Sequence, residues 1–342
     1  YPPGEAPSQR FRFEQYISYL EQQGFTCNIH PFYNERAWKI IYAKGQTTAK
    51  AYHVLLSFFR RILLMFQLKN AQHIFIHREL SHVGPPFFEW FLAKVLGKKF
   101  IYDFDDAIWL PNYSDQNARF QRLKMYKKVH YIMKIADKVT AGNMYLKRYA
   151  ENYNSEVLYL PTTIDLNYHS TNPIANKRLV IGWTGSHTTA KYLDVLLEPI
   201  EKLSQKYNFD FVVISNENPR FKLNNFRFIK WTKESEIEDL NTIDIGLMPL
   251  EDNIWTQGKC AFKILQYMAL GKPCIASSVG ANKDVIKEGE NALFSYSDED
   301  WYAKIETLLI NAELRKKLGK TALKTVKEKY SVEANKKLYL NL

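Results

Sequence analysis

The chain has 342 residues, 46% of them apolar and 24% charged, and a net charge of +11. Such a length exceeds what one hydrophobic core organises, so two domains are expected, and the composition excludes disordered, collagenous and membrane-embedded classes. The positive charge is uneven, with 22 Lys and Arg against 14 Asp and Glu up to Asp165, which suits a polyanionic partner or an anionic membrane surface.

Taken in order, Tyr1–Ser8 (YPPGEAPS) reads as the loop after a first strand that the sequence does not show, as in a chain trimmed at its start. Phe11–Gln23 predicts a helix stopped by Gly24, Thr26–Phe32 a strand, and Lys50–Leu68 a long amphipathic helix. Strand His73–His77, helix Phe87–Leu96, strand Lys99–Phe104, a helix from about Asn117 to Ala136, strand Lys138–Ala141, helix Met144–Asn152 and strand Val157–Leu160 follow. This alternation implies a parallel sheet covered by helices. Residues 164–176 are polar and carry Pro173 within an aperiodic tract, so they read as a linker.

A second alternating series starts at Leu179–Trp183 and runs through helix Tyr192–Tyr207, strands Phe209–Ser215 and Phe226–Ile229, helix Ser235–Asn241 and strand Asp244–Met248. A helix beginning near Gly258, strand Cys274–Ser277, helix Asp298–Asn311 and a helical tail complete it. The expected division is 1–163, linker 164–176, 177–325, and a terminal helix at 326–342 returning to the first domain. The fold class is α/β: two doubly wound, Rossmann-like parallel-sheet domains facing a central cleft.

Several classes are excluded. Cys27, Cys260 and Cys274 are scattered without a CxxC pair, which fits a reducing cytoplasm and not a disulfide or zinc framework. The most apolar stretch, Val54–Leu68, is interrupted by Arg60 and Arg61, short of the ~18 uninterrupted apolar residues of a membrane span. No zinc-finger spacing, RNA-recognition signature, GxGxxG or P-loop occurs, so neither nucleic acid nor a dinucleotide cofactor is expected.

The chemistry concentrates in the second half. Gly185-Ser186 opens a loop of small and hydroxylated residues after the first strand, with Lys191 one turn into the next helix. There, backbone N–H groups can approach a diphosphate, and Ser186, Thr188 or Thr189 can cap the helix. Lys259 and Lys263 stand at the start of a later helix, where unpaired N–H groups also favour an anion. Gly271 and Pro273 close that helix. Trp231, Met248 and Pro249 are candidates to flank a bound ligand, although aromatics and Met more often belong to the core. Gly280 and Asn282 follow a strand end and are further candidates to touch the ligand.

In the first half, Asp103, Asp105 and Asp106 end a strand, and three carboxylates that close cannot all be buried, so at least one is expected to face the cleft or titrate upward. Asp105 or Asp106 is a candidate to orient or deprotonate a hydroxyl; a helix cap or an ion pair to Arg78 is the competing reading. Asp103-Phe104-Asp105 has the spacing of a DxD metal motif but the wrong strand context, so no metal is expected. Gly4 and Arg78 are candidates for substrate contact, with Arg10 or Arg12 placed to meet an anionic group. Phe58, Phe59, Leu63 and Phe66 beside Arg60, Arg61 and Lys69 form a candidate lipid-docking face. Arg119, Arg122, Lys124, Lys127, Lys128 and Lys134 add basic surface.

These motifs resemble the group 1 glycosyltransferases, nucleotide-sugar enzymes of GT-B architecture that mostly retain anomeric configuration. The resemblance covers nearly the whole chain and is strongest from Leu179 onward. The family's glycine, arginine, lysine and paired leucines are matched by Gly185, Ser186, Lys191 and Leu196-Leu197, with serine replacing the arginine. Its phosphate-facing lysine corresponds to Lys263, three residues before Gln266-Tyr267-Met268-Ala269. Gln266 stands where the family's ribose-binding glutamate is usual, and Gly258 replaces the other glutamate of the pair.

The resemblance implies transfer of a sugar from a nucleotide-diphosphate donor to a hydroxyl of a glycan or lipid-linked acceptor, without a metal and with no cofactor beyond the donor. By the same resemblance Trp231, Met248 and Pro249 would flank the base, Gly280, Asn282, Gly4 and Arg78 would face the donor sugar or acceptor, Asp105 or Asp106 would orient or deprotonate the acceptor hydroxyl, and Arg10 or Arg12 would meet an anionic acceptor. The expected setting is cell-surface polysaccharide or glycoconjugate synthesis, in the cytoplasm that the cysteines suit or, with the amphipathic helix, on the inner face of the membrane. A catalytically silent nucleotide-sugar-binding subunit and a nucleotide-sugar epimerase are the rival expectations.

Overall fold

The computed structural model describes residues 1–42, 45–111, 123–172 and 174–342. Two compact units divide the chain: residues 1–162 with 336–342, and residues 163–335.

The first unit carries a four-stranded parallel sheet of β1 (Phe75–His77), β2 (Ile101–Phe104), β3 (Lys138–Ala141) and β4 (Val157–Tyr159), ordered as in sequence. Tyr102 lies opposite Ile76 and Val139, so buried side chains line up across the sheet. The Thr47–Gln67 helix, Phe87–Trp90 with its π-helical continuation to Val95, Lys128–Ile135 and Met144–Ala150 surround it. Asn143 caps the last of these, its side-chain oxygen accepting from Leu146 N–H at 2.7 Å.

Three expectations fail here. Thr26–Phe32 forms no strand; Cys27 and Ile29 stay half-exposed, only Phe32 at its end is buried, and Pro31 removes a backbone donor that a ladder needs. The single helix expected from Phe11 to Gln23 is broken into Pro7–Arg10, a 3₁₀ turn at Glu14–Tyr16 and Ile17–Gln22. A helix at Glu35–Tyr42 was not foreseen. The start of the helix expected at Asn117, with Arg119 and Arg122, lies outside the described residues. Lys128 contributes no basic surface: it is buried, pairs with Glu79 at 2.9 Å and donates to the Ser81 carbonyl.

The second unit holds six parallel strands: β5 (Leu179–Thr184), β6 (Phe209–Ser215), β7 (Phe226–Lys230), β8 (Ile245–Met248), β9 (Cys274–Ser277) and β10 (Leu293–Ser295). Their order is β10-β9-β8-β5-β6-β7, the doubly wound arrangement in which the chain reverses direction of growth between β5 and β8. Strands buried on both faces read as apolar runs; Phe211, Val212, Val213 and Ile214 of β6 are all buried. Ile181, Trp183, Leu196, Ile200, Phe211, Ile245 and Trp301 belong to one core cluster.

The segment expected as a linker is instead part of this unit. Thr163, Ile164 and His169 are buried. Ile164 bridges to Ser331, donating to the Tyr330 carbonyl and accepting from Val332 N–H. Of the terminal stretch 326–342, only residues 336–342 group with the first unit.

Candidate functional site

Doubly wound sheets bind ligands at the carboxyl ends of their strands, where the strand order reverses. In the second unit this is the end of β5 beside the end of β8. Trp183 near the end of β5 is buried, and Gly185 lies directly over its ring: a Cβ built at Gly185 would fall 2.5 Å from Trp183 Cζ2 and 2.8 Å from Lys263 Cε. Only glycine lets the β5 loop sit this close to the lysine stem. The Lys263 amine stands over the Trp183 indole at 5.2 Å from the ring centroid, a cation–π distance.

Lys263 is carried by the Phe262–Ala269 helix, which is anchored from within. Tyr267 on that helix is buried, accepts Thr184 N–H through its hydroxyl at 3.0 Å and donates to the Leu247 carbonyl at 3.3 Å. One tyrosine therefore ties the lysine-bearing helix to β5 and β8 together. The helix starts at Phe262 and not near Gly258, which is the C-cap of a short helix at Ile254–Gln257. Gly271, at φ +66°, ends it as expected.

The other sequence candidates sort around this centre. Lys259 is half-buried with its amine 4.8 Å from the Trp255 ring centroid. Lys191 is exposed over Tyr192 and lines a 650 Å³ cavity with Asp194, Glu251, Asp252 and Lys283. Ser186 occupies the N-cap of His187–Ala190, but its hydroxyl meets Thr188 at 2.8 Å and makes no cap bond; the His187 N–H donates to Asn216 Oδ1 at 2.8 Å instead.

Met248 and Pro249 are buried at the end of β8, whereas Trp231 follows the edge strand β7. Three strand spacings, about 14 Å, separate those two strands, so the structure does not bring these base-flanking candidates together. Asn282 is buried and donates to the Ser277 carbonyl at 2.9 Å, which makes it a brace for its loop. Gly280, at φ +53°, packs on the backbone of Gln257. Gln266 is buried, with Nε2 3.3 Å from His169 Nε2. His169 escaped the sequence reading because a lone histidine in a polar, proline-bearing tract gives no sign of burial.

The first unit carries a charged cluster at the ends of β1 and β2. Arg78 donates from Nε and Nη2 to Asp105 Oδ1 at 3.0 and 2.7 Å, and from Nη2 to Asp106 Oδ2 at 2.7 Å. Burial works against the Arg78 charge, but Asp105 and Asp106 overcome it and raise its pKa well above the ordinary value. Asp103 is fully buried and accepts from Thr140 Oγ1 at 2.7 Å while pairing with Arg12 and His77. Burial alone would raise this carboxyl; the Arg12 charge and the His77 contact hold it well below the usual carboxylate range.

Arg12 was expected to meet an anionic acceptor and does not. It is fully buried, binds Asp103 and donates to the Leu160 carbonyl. With Asp103 ionised, His77 Nδ1–H donates to it at 2.7 Å, and Nε2 faces the Ser8 hydroxyl at 3.2 Å. Gly4 N–H donates to both carboxylate oxygens of Glu14 at 3.1 and 2.9 Å. Among the described residues no group of three or more His, Cys, Asp or Glu could hold a metal ion.

Comparison with known proteins agrees with this architecture. Residues 178–311 match the family described as glycosyl transferases group 1. A glycosyltransferase from Rickettsia africae aligns over 100% of this chain and 95% of its own, with a TM-score of 0.70 at 17% identity. The HepE protein of Anabaena in complex with UDP aligns over 82% and 80%, with a TM-score of 0.62 at 13% identity. A sucrose-phosphate synthase from Thermosynechococcus elongatus aligns over 84% and 77%, with a TM-score of 0.61 at 14% identity. Among curated protein sequences none matches the chain.

Proposed function

We propose that this chain, which has a GT-B fold and matches a group 1 glycosyl transferase model over residues 178–311, is a glycosyltransferase that grips its nucleotide-sugar donor through the diphosphate at the β5–β8 reversal. The observation that carries the reading is Lys263 lying against Gly185 at the ends of those strands. An ammonium beside a loop of backbone N–H groups suits a diphosphate, and it stabilises the charge that grows on the departing nucleotide. Lys259, Lys191 and the Gly185-Ser186 backbone add to this field, and Gln266 serves the ribose through its amide.

The acceptor is a hydroxyl of a glycan or of a lipid-linked acceptor. Asp105 or Asp106, oriented by Arg78, positions that hydroxyl and assists its deprotonation. The donor sugar passes from the β-phosphate oxygen to the acceptor oxygen, whose proton leaves to base, and a nucleoside diphosphate is released. Retention of configuration and independence from metal belong to the same proposal, as does a setting in the cytoplasm at the inner face of the membrane. The UDP bound by the Anabaena HepE protein makes uridine diphosphate the first donor nucleotide to try.

One observation favours a second reading. Gly258 and Gln266 occupy the places of the family's paired glutamates, as a subunit that binds nucleotide sugars without turning them over would allow. Nucleoside diphosphate release, measured across a panel of nucleotide sugars with and without glycan acceptors, separates the two. Acceptor-dependent release supports transfer; tight binding with neither release nor hydrolysis overturns it.

A further inference from the structure

The Thr47–Gln67 helix of the first unit presents two faces, and among the described residues only one is packed against the protein. His53, Ser57, Arg61, Leu64 and Met65 turn inward and are buried. Arg61 donates to the His30 carbonyl at 3.1 Å, and Phe58 packs edge-on against Phe32 at 5.4 Å and beside Phe88 at 5.8 Å. These two residues, expected on the outer face, therefore belong to the inner one.

The outer stripe is more apolar than the inner, which carries His53, Ser57 and Arg61. Tyr52, Leu55, Phe59 and Phe66 are 62%, 70%, 57% and 68% exposed, and Ile62 and Leu63 lie between them. Their spacing at i, i+3, i+7, i+10, i+11 and i+14 keeps them on one side of the helix. The element packed against this helix adds more, with Phe87 51% and Trp90 40% exposed next to the buried Phe88. Apolar surface of this continuity marks an interaction site on a water-soluble body.

Charge decides what the partner is. Between Glu35 and Glu79 the sequence holds no Asp or Glu and eight Lys or Arg. Arg60 and Lys69 are exposed on the helix and just beyond it, and Lys94 is exposed on the neighbouring element. A basic rim around exposed aromatic and aliphatic side chains, beside an element whose one carboxylate, Glu89, is fully buried, complements an anionic bilayer more closely than a protein surface.

We propose that this outer stripe docks on an anionic lipid bilayer, with the helix lying along the headgroup plane and Phe59 and Phe66 reaching the acyl boundary. The proposal names the surface and the lipid charge for the membrane setting proposed above and rests on that reading; it does not need the transfer chemistry. By length and composition the Thr47–Asn70 segment, with mean hydropathy 1.2, could also cross a membrane. The inner stripe argues for lying flat, because it is already packed on the first unit and includes the buried, hydrogen-bonded Arg61.

The test is sedimentation of the full chain with phosphatidylcholine vesicles, with and without phosphatidylglycerol. Wild type should bind only the anionic vesicles and be released by high salt. Phe59→Ser with Phe66→Ser should weaken binding about tenfold or more, and Arg60→Glu about tenfold with a shallower salt dependence. All three positions are exposed, so nucleotide-induced thermal stabilisation should be unchanged and reports folding. Lys263→Ala should lose that stabilisation yet keep vesicle binding, which separates this surface from the donor site. Equal binding to neutral vesicles, retention after alkaline extraction, or a dimer that the Phe59 and Phe66 substitutions dissociate without any vesicle binding would each overturn the proposal.

Discussion

Arg78 closes its guanidinium on one carboxylate oxygen of Asp105, at 3.0 and 2.7 Å, while its own backbone stands at φ +65°. A non-glycine residue in the left-handed region costs about 1–3 kcal/mol and persists where surrounding contacts fix it. The same guanidinium holds Asp106 at 2.7 Å, so both carboxylates stay in place at the end of β2. Asp105→Asn should lower kcat roughly 10²-fold or more with little change in donor KM. Steady-state kinetics decide it: unchanged turnover removes Asp105 from the chemistry and leaves the ion pair as scaffolding.

Gly185 tests the donor loop independently of charge. Gly185→Ala would place a methyl group 2.5 Å from the Trp183 ring and 2.8 Å from Lys263 Cε. Overpacking of this kind costs about 1–3 kcal/mol, and relief requires the buried Trp183 ring to shift, which displaces the Lys263 amine seated over it. The expected result is a modest drop in thermal stability and a large loss of nucleoside diphosphate affinity by calorimetry. Gly246→Ala, where the added Cβ would fall 2.4 Å from the Tyr267 ring, should disturb the same helix from beneath.

Gln266 distinguishes ribose from phosphate. Its amide is buried beside His169, and a lost neutral hydrogen bond is worth about 0.5–1.5 kcal/mol. Gln266→Ala should therefore weaken nucleoside diphosphate binding several-fold while leaving inorganic pyrophosphate binding unchanged. Equal losses for both ligands would assign Gln266 to helix packing.

The buried Arg12–Asp103 pair governs acid stability of the first unit. Asp103 has a depressed pKa, so the pair's contribution is complete above the ordinary carboxylate pKa of about 4 and is lost as pH falls through the lower, folded-state value. Arg12→Met strands a buried carboxylate and should destabilise by about 3–5 kcal/mol near neutral pH. Its loss should shrink below pH about 4, where Asp103 can accept a proton. Denaturant titrations of wild type and variant across pH measure the convergence; a constant difference would contradict it.

Much of the second unit was legible because its information is local. The runs at Phe209–Ser215 and Cys274–Ser277 are strands with those bounds, since strands buried on both faces read as unbroken apolar stretches. The Gly271 stop was readable for the same reason: a left-handed position is marked by its residue type. Long-range pairings carry no such mark. Arg12 and Asp103 are 91 residues apart, and an arginine near the start of a helix looks the same whether it faces a substrate or a buried acid. The motif marks Lys263 as a candidate phosphate ligand, but its seat over Trp183 depends on β5 and β8 becoming neighbours, which only the strand order shows. Thr26–Phe32 misled because alternation alone does not supply a partner strand.

The most direct test is calorimetric titration of UDP, GDP and ADP into wild type and Lys263→Ala. At least one nucleotide should bind wild type, and removal of the ammonium should cost that nucleotide about 10- to 100-fold in affinity, as expected for a charge-assisted contact of about 1.5–3 kcal/mol. Lys272→Ala, whose amine donates to the Asn241 carbonyl at 2.9 Å, should leave affinity unchanged. Full nucleotide affinity in Lys263→Ala would contradict a diphosphate held at the β5–β8 reversal.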